Sequence, residues 1–284
     1  MPLTLEAAGL VLLAALFHAT WNALVKTSGD RLSVLAMVNA CSSIIAIVML
    51  PFVDLPARES WGYLLASIVL HTGYYVFLVE AYRFGDLSHV YPLARGLSPL
   101  LVAGAAVIFA GELLPAKAFF GVVLACAGIV SLSFDRGPPW RNDARPLLFA
   151  LGTAAFIASY TIVDGIGVRR SGAVAGYVAW LFALDAIPIV LVAWLVHRRD
   201  FRWAIRNEWK KGAAGGVLAL AAYGMVIWAM SVSAMAAVSA LRETGVIFAA
   251  LIGTILLKER FGALRVSSAI MVAAGIILMN LARG

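Results

Sequence analysis

Charge is what this 284-residue chain has least of. Only 13% of its residues are Asp, Glu, Lys or Arg, against 63% that are apolar, and the mean hydropathy is +0.94. Soluble domains carry roughly 25% charged residues, so a water-soluble globular fold is excluded. Cysteine is nearly absent as well. Cys41 and Cys126 both lie in apolar stretches without partners at metal-ligand spacing, so they read as small packing residues rather than a disulfide framework or a metal site. The H-E-x-x-H, G-x-S-x-G and P-loop patterns are missing, and no His/Asp cluster has metal spacing. These absences leave no sequence grounds for an enzyme, a cofactor or a resident metal.

What the chain does have is a series of long greasy runs. A bilayer core of about 30 Å takes roughly 20 apolar residues per helix. The runs divide into ten spans, near 4–25, 32–53, 61–82, 88–110, 115–134, 146–167, 173–196, 212–231, 235–257 and 262–281, with charges, glycines and prolines between them. They are continuous rather than alternating, which rules against a closed β-barrel and leaves an all-α integral membrane protein. Without a basic n-region or a small-residue cleavage site, the first span reads as a retained helix.

The formal charge of +7 is spread over short loops and is not gathered into a nucleic-acid-binding patch. Its use is topological. Loops after the odd-numbered spans hold most of the basic residues, above all "RRDFRWAIRNEWKK" (198–211), whose Phe201, Trp203 and Trp209 suit a short helix at the headgroups. The other side has Arg58, Lys117, Arg169, Arg170 and Arg283. By the positive-inside rule, the basic side is cytoplasmic and both termini are non-cytoplasmic.

Internal repetition carries more information than any one residue. A shift of 147 lays "YPLARGLSPLLVAGAAVIFAGELLPAKAFFGVVLACAGIV" on "VSALRETGVIFAALIGTILLKERFGALRVSSAIMVAAGII" without a gap, so that Arg95 meets Arg242 and Glu112 meets Glu259. A shift of 139 lays "FHATWNALVKTSG" on "FIASYTIVDGIGV". The chain therefore reads as two five-helix halves, 1–137 and 138–284, joined through "SFDRGPPWRNDARP" and forming one structural unit. Five being odd, the second half enters the membrane upside down. Such inverted repeats can open a shared midplane site to either side in turn, which points to transport.

Several local features accompany this duplication: "HATWNALVK" ending the first helix, an Ala-Tyr pair (Ala81, Tyr82) closing the third, a proline-containing fourth helix running into Gly111-Glu112, and Lys258-Glu259-Arg260 at the matching place. In that order and duplication the chain resembles the EamA domain family of the drug/metabolite transporter (DMT) superfamily. The resemblance implies a ten-helix basket, a central substrate cavity lined by helices 1, 3, 4, 6, 8 and 9, and export or exchange of small metabolites.

Polar residues inside the spans are the candidates for substrate contact. An arginine at mid-bilayer costs about 3 kcal/mol even on permissive scales, so it faces protein or water. Arg95 and Arg242 each lie about seven residues into their helices, offering planar donors for a carboxylate or phosphonate or, alternatively, pairing with Glu243 or Glu80. Tyr91, Arg95 and Ser98 share one face of helix 4, as Ser239 and Glu243 do of helix 9. Glu243 and His18 are the candidates for proton coupling. His18, Trp21 and Asn22 on helix 1, His71, Tyr74 and Tyr75 on helix 3, Tyr160 on helix 6, and Tyr223 and Trp228 on helix 8 complete the cavity set.

Other polar residues read as structural. Ser159 and Thr161 are expected to bond within or between helices, with Asp164 nearby, and Asp185 to make a structural contact. Glu112 and Glu259 are expected to bond at helix ends, Glu80 and Arg83 to be interfacial, and Lys26 to snorkel. The expected function is a secondary transporter of a small polar metabolite, such as an amino acid or other carboxylate, working in a lipid bilayer with protons as a candidate coupling ion. The alternative is a flippase for a lipid-linked phosphate carrier, which the paired arginines would also suit.

Overall fold

The computed structural model describes residues 3–28, 31–84, 87–134, 144–196, 198–257 and 262–281. The linker 135–143, the Lys258-Glu259-Arg260 motif, Arg283, and the side chains of Lys26, Arg31, Ala81, Tyr82, Arg83, Arg198, Arg199 and Phe201 lie outside this description. The described residues form helices throughout: α1 (Leu5–Lys26), α2 (Arg31–Met49), α3 (Trp61–Phe84), α4 (Leu87–Ala110), α5 (Ala116–Ser131), α6 (Arg145–Ser171), α7 (Val174–Val196), α8 (Arg198–Asn207), α9 (Trp209–Val232), α10 (Met235–Arg242), α11 (Gly245–Leu257) and α12 (Ala263–Leu281). Among the described residues, nine helices are long and apolar enough to cross a membrane. The chain is a multi-pass membrane protein.

Where no water can satisfy the backbone, each span closes its own hydrogen bonds. Hydroxyls follow the same rule: Thr20, Thr72, Thr153, Ser159 and Thr161 each donate to the carbonyl four residues earlier. Thr4 caps α1 by accepting from the Ala7 amide at 3.1 Å. Two left-handed glycines, Gly111 (φ 65°) and Gly172 (φ 63°), end α4 and α6 where an L side chain would be strained.

Two elements differ from the sequence expectation. The expected span 235–257 is not one helix, because α10 stops at Arg242 and α11 begins at Gly245. Across the break, backbone bonds tighten to three-residue spacing: Glu243 to Ala240, Thr244 to Leu241, Val246 to Glu243 and Ile247 to Thr244. The first-half counterpart, α4, remains one helix despite Pro92 and Pro99. Helix α6 also runs to Ser171 instead of ending near 167, which places Arg169 and Arg170 in its last turn and not in a loop.

Helices of the first half pack mainly on helices of the second. Helix α1 lies against α9, α10 and α11; α3 against α6 and α7; α4 against α5, α6 and α10; α2 between α7 and α9; α5 against α12. The principal core brings together α1, α4, α6, α7, α9 and α10 around residues such as Val102, Ile162, Tyr177, Ile227, Met230 and Leu241.

The α5–α12 seam is set by small residues, as expected where van der Waals contact and close backbone approach replace the hydrophobic effect. A Cβ at Gly275 would lie 2.5 Å from Gly121 O, and one at Gly121 would lie 2.6 Å from Gly275 O. Ser268 Oγ donates across the same seam to Gly128 O at 2.6 Å. Gly275→Val is therefore expected to separate the two helices at an overpacking cost of about 1–3 kcal/mol. Thermal unfolding in detergent checks this, and an unchanged midpoint would contradict the close approach.

Candidate functional site

The break between α10 and α11 places a carboxylate beside two guanidinium groups in the protein interior. Glu243, fully buried at the C-cap of α10, faces Arg95 of α4 with Oε2 2.7 Å from Nε. Arg242 lies farther off, Nε to Oε1 being 3.5 Å, and neither its Nε nor its Nη2 has a hydrogen-bond partner. Both arginines are 5% exposed. Two cations thus share one anion: Arg95 Nε, Arg242 Nε and both Glu243 oxygens meet at ion-pair distance without hydrogen-bond geometry, and Arg242 Nη2 has no hydrogen-bond partner.

Aromatic side chains surround this centre. The Arg95 guanidinium lies over the Tyr91 ring, 5.9 Å from its centroid. Arg242 is within electrostatic range of Tyr160 and Tyr223, and Tyr74 within range of both arginines. From α1, His18 comes within electrostatic range of Arg95 and Arg242 and meets Trp21 edge-on at 5.1 Å. Ser98, expected on the Arg95 face, turns its hydroxyl to Arg95 O at 3.1 Å.

A second polar group lies among α3, α6, α7 and α9. Asp164, fully buried, accepts from Tyr223 Oη at 2.6 Å and Tyr177 Oη at 3.1 Å. His71 stacks on Tyr160 with ring centroids 4.0 Å apart and meets Tyr223 edge-on. Its Nδ1 lies 3.1 Å from Ser67 Oγ and 3.0 Å from Ser67 O, and its ring is in electrostatic range of Asp164. Asp185 of α7 is in electrostatic range of both His71 and Asp164, and its buried Oδ1 has no hydrogen-bond partner. Tyr75 donates to Asn39 Oδ1 of α2 at 3.2 Å.

A third arrangement ties helix ends together. Arg169 Nη1 meets Glu112 Oε1 at 2.5 Å, while its Nε and Nη2 donate to Met230 O (2.8 Å) and Ser233 O (2.7 Å) at the end of α9. Glu112 Oε2 accepts from the Met235 amide, 2.9 Å away, at the start of α10. Each charge thus caps the helix end whose dipole it complements. Glu112 bonds at a helix end, as its position in the sequence suggests, whereas Arg169 had figured there only as a loop charge.

The sequence-derived candidates separate in this geometry. Arg95, Arg242, Glu243 and Tyr91 meet at the first centre, with His18 in electrostatic range of it; His71, Tyr160 and Tyr223 gather beside Asp164; Tyr75 turns to Asn39. Asn22 donates to His18 O of its own helix at 2.7 Å. Trp228 packs against the main apolar core. Asp164 was legible only as a repeat-matched polar residue, and neither Tyr177 nor Ser67 gave a signal. The cue available for Asp164 was a lone carboxylate within an otherwise apolar helix.

A model of the EamA-like transporter family matches residues 5–134 and again residues 144–281. No curated protein matches the chain. One solved structure, described only as a crystal structure of a protein, superposes with a TM-score of 0.77 over 97% of this chain and 96% of its own, at 17% identity. At that identity the likeness is one of fold.

Proposed function

We propose, from the premise that this chain belongs to the EamA-like transporter family, that it carries a small metabolite bearing a carboxylate or another compact anionic group across a bacterial-type inner membrane. Members of that family are membrane transporters and not enzymes. The lipid bilayer is this protein's medium, and its substrate is a small molecule. The observation that carries the finer reading is Arg242: a buried guanidinium whose Nη2 has no hydrogen-bond partner and whose Nε stands 3.5 Å from Glu243, beside an Arg95–Glu243 ion pair that is already neutral. Such a group is stabilised by a planar anion able to accept from both nitrogens. Tyr91, Tyr160, Tyr223 and the His18–Trp21 pair would shape the space around the rest of the molecule.

Alternating access supplies the mechanism. In this reading α10 and α11 form one broken span, the halves 1–137 and 138–284 are inverted copies, and both termini face away from the cytoplasm. The Arg169–Glu112 arrangement then lies at the non-cytoplasmic end, where it would hold that side shut. Glu243 and His18 are the candidates for proton exchange at the anion centre.

The test is counterflow in proteoliposomes across amino acids, organic acids and phosphonates, with and without a pH gradient. Saturable exchange of small carboxylates, with no exchange of amines lacking an acid group, is expected. Flux confined to neutral or cationic compounds would refute the anion reading. Translocation of a lipid-linked phosphate without small-acid flux would favour the flippase.

A further inference from the structure

The polar group centred on Asp164 is built around the wrong charges for an anion, and the transport reading above gives it no role. Asp164 and Asp185 bring two carboxylates into the interior, and among the described residues no lysine or arginine is ion-paired with either. Among the described residues, the imidazole of His71 lies in electrostatic range of both. The other polar neighbours are neutral: Ser67, Tyr74 and Tyr75 on α3, Tyr160 on α6, Tyr177 on α7, Tyr223 on α9 and Asn39 on α2.

Counting charge settles how many protons such a group holds. With both carboxylates ionised and the imidazole neutral the trio carries two negative charges, an arrangement that low-dielectric surroundings penalise heavily. Neutrality needs two protons shared among the three side chains. Asp164 is the better anion, since two phenols donate to it. Asp185, with its Oδ1 unpartnered, is the better place for the second proton. The Ser67 hydroxyl, 3.1 Å from Nδ1, fixes the His71 imidazole, which lies in electrostatic range of both carboxylates.

We infer, resting on that transport reading, that His71, Ser67, Asp164 and Asp185 form a proton-binding site separate from the Arg95–Arg242–Glu243 centre, and that this site, in place of Glu243 or His18, is where the transporter takes up and releases its coupling proton. Opening the bundle to water on one side lets Asp185 pass its proton to a water molecule, leaving the trio with one net negative charge. Opening on the other side lets water return a proton to the same carboxylate and restore neutrality. Tyr223, which bonds Asp164 and lies in electrostatic range of Arg242, links the two centres.

The test needs no knowledge of the transported molecule. Infrared spectra of the full-length protein in lipid vesicles, taken across pH 5 to 9, read the carbonyl stretch of a protonated carboxyl group, and the imidazole state is read by nitrogen-15 NMR of labelled histidine. The wild type is expected to show a protonated-carboxyl band that is lost with rising pH, absent in Asp185→Asn, and retained in Glu243→Gln. Tyr223→Phe should shift the band without abolishing it. If Asp164→Asn fails to fold, Asp185→Asn and Tyr223→Phe still decide the matter. A band removed by Glu243→Gln and untouched by Asp185→Asn, or no protonated-carboxyl band at any pH, would overturn the inference. Because no substrate is present, failure of the anion reading leaves this readout unaffected.

Discussion

Arg242→Gln is expected to lower small-carboxylate exchange in proteoliposomes by about 30- to 1,000-fold while the protein still folds. The range follows from the roughly 2–4 kcal/mol lost when one partner of a desolvated charge pair is truncated, at 1.4 kcal/mol per decade. Folding survives because Arg242 makes only a 3.5 Å contact with Glu243, whereas Arg95 holds Glu243 at 2.7 Å. Arg95→Gln is a different experiment. It leaves a fully buried carboxylate with only the distant Arg242, and breaking such a pair from one side costs about 3–5 kcal/mol. The single variant should therefore unfold at lower temperature, and Arg95→Gln combined with Glu243→Gln should recover much of the loss. Thermal unfolding in detergent separates this structural effect from the flux defect of Arg242→Gln. Undiminished carboxylate exchange by a folded Arg242→Gln protein would remove Arg242 from the substrate site.

Disrupting the helix-end arrangement is expected to open the end it closes. Arg169 makes three polar contacts and Glu112 two, spanning α4, α6, the end of α9 and the start of α10. Hydrogen bonds to charged groups contribute about 1.5–3 kcal/mol each, so Glu112→Gln should shift the balance toward the open form by about 10- to 100-fold. Ser239, 1% exposed on α10, offers a reporter. In a background with Cys41 and Cys126 replaced by alanine, Ser239→Cys should react with a membrane-impermeant maleimide that much faster when Glu112→Gln is also present. An unchanged labelling rate would show that this arrangement does not govern access.

How far the site could be read in advance depended on the kind of residue. Arg95 and Arg242 stood out because a charge within a greasy run has a large solvation cost and so must face protein or water, wherever its partners are. Glu243 was visible for the same reason, but the choice among counter-ions was not, since Glu243 and Glu80 were both within plausible reach of an arginine. Asn22 shows what such reasoning leaves open. Its helical spacing from His18 suggested a shared polar stripe, yet its amide bonds the His18 carbonyl of its own helix, a choice that periodicity leaves open. Arg169 was misplaced because apolarity locates the end of a greasy run and not the end of the helix, which continues to Ser171.

The sequence by itself determined the membrane setting, the positions of the long helices and the duplication of the chain, because each follows from local composition and from residues compared at a fixed offset. Tertiary structure alone decided the rest. It broke the expected span 235–257 at Glu243 and Thr244, although the matching proline-containing α4 stays whole. It also chose Glu243 for Arg95, Glu112 for Arg169, and Tyr177 and Tyr223 for Asp164. Those partners lie on helices far apart in the chain. Which of them meet is fixed by how whole helix faces pack, through close approaches such as Gly121 on Gly275, and no local pattern of residues encodes that packing.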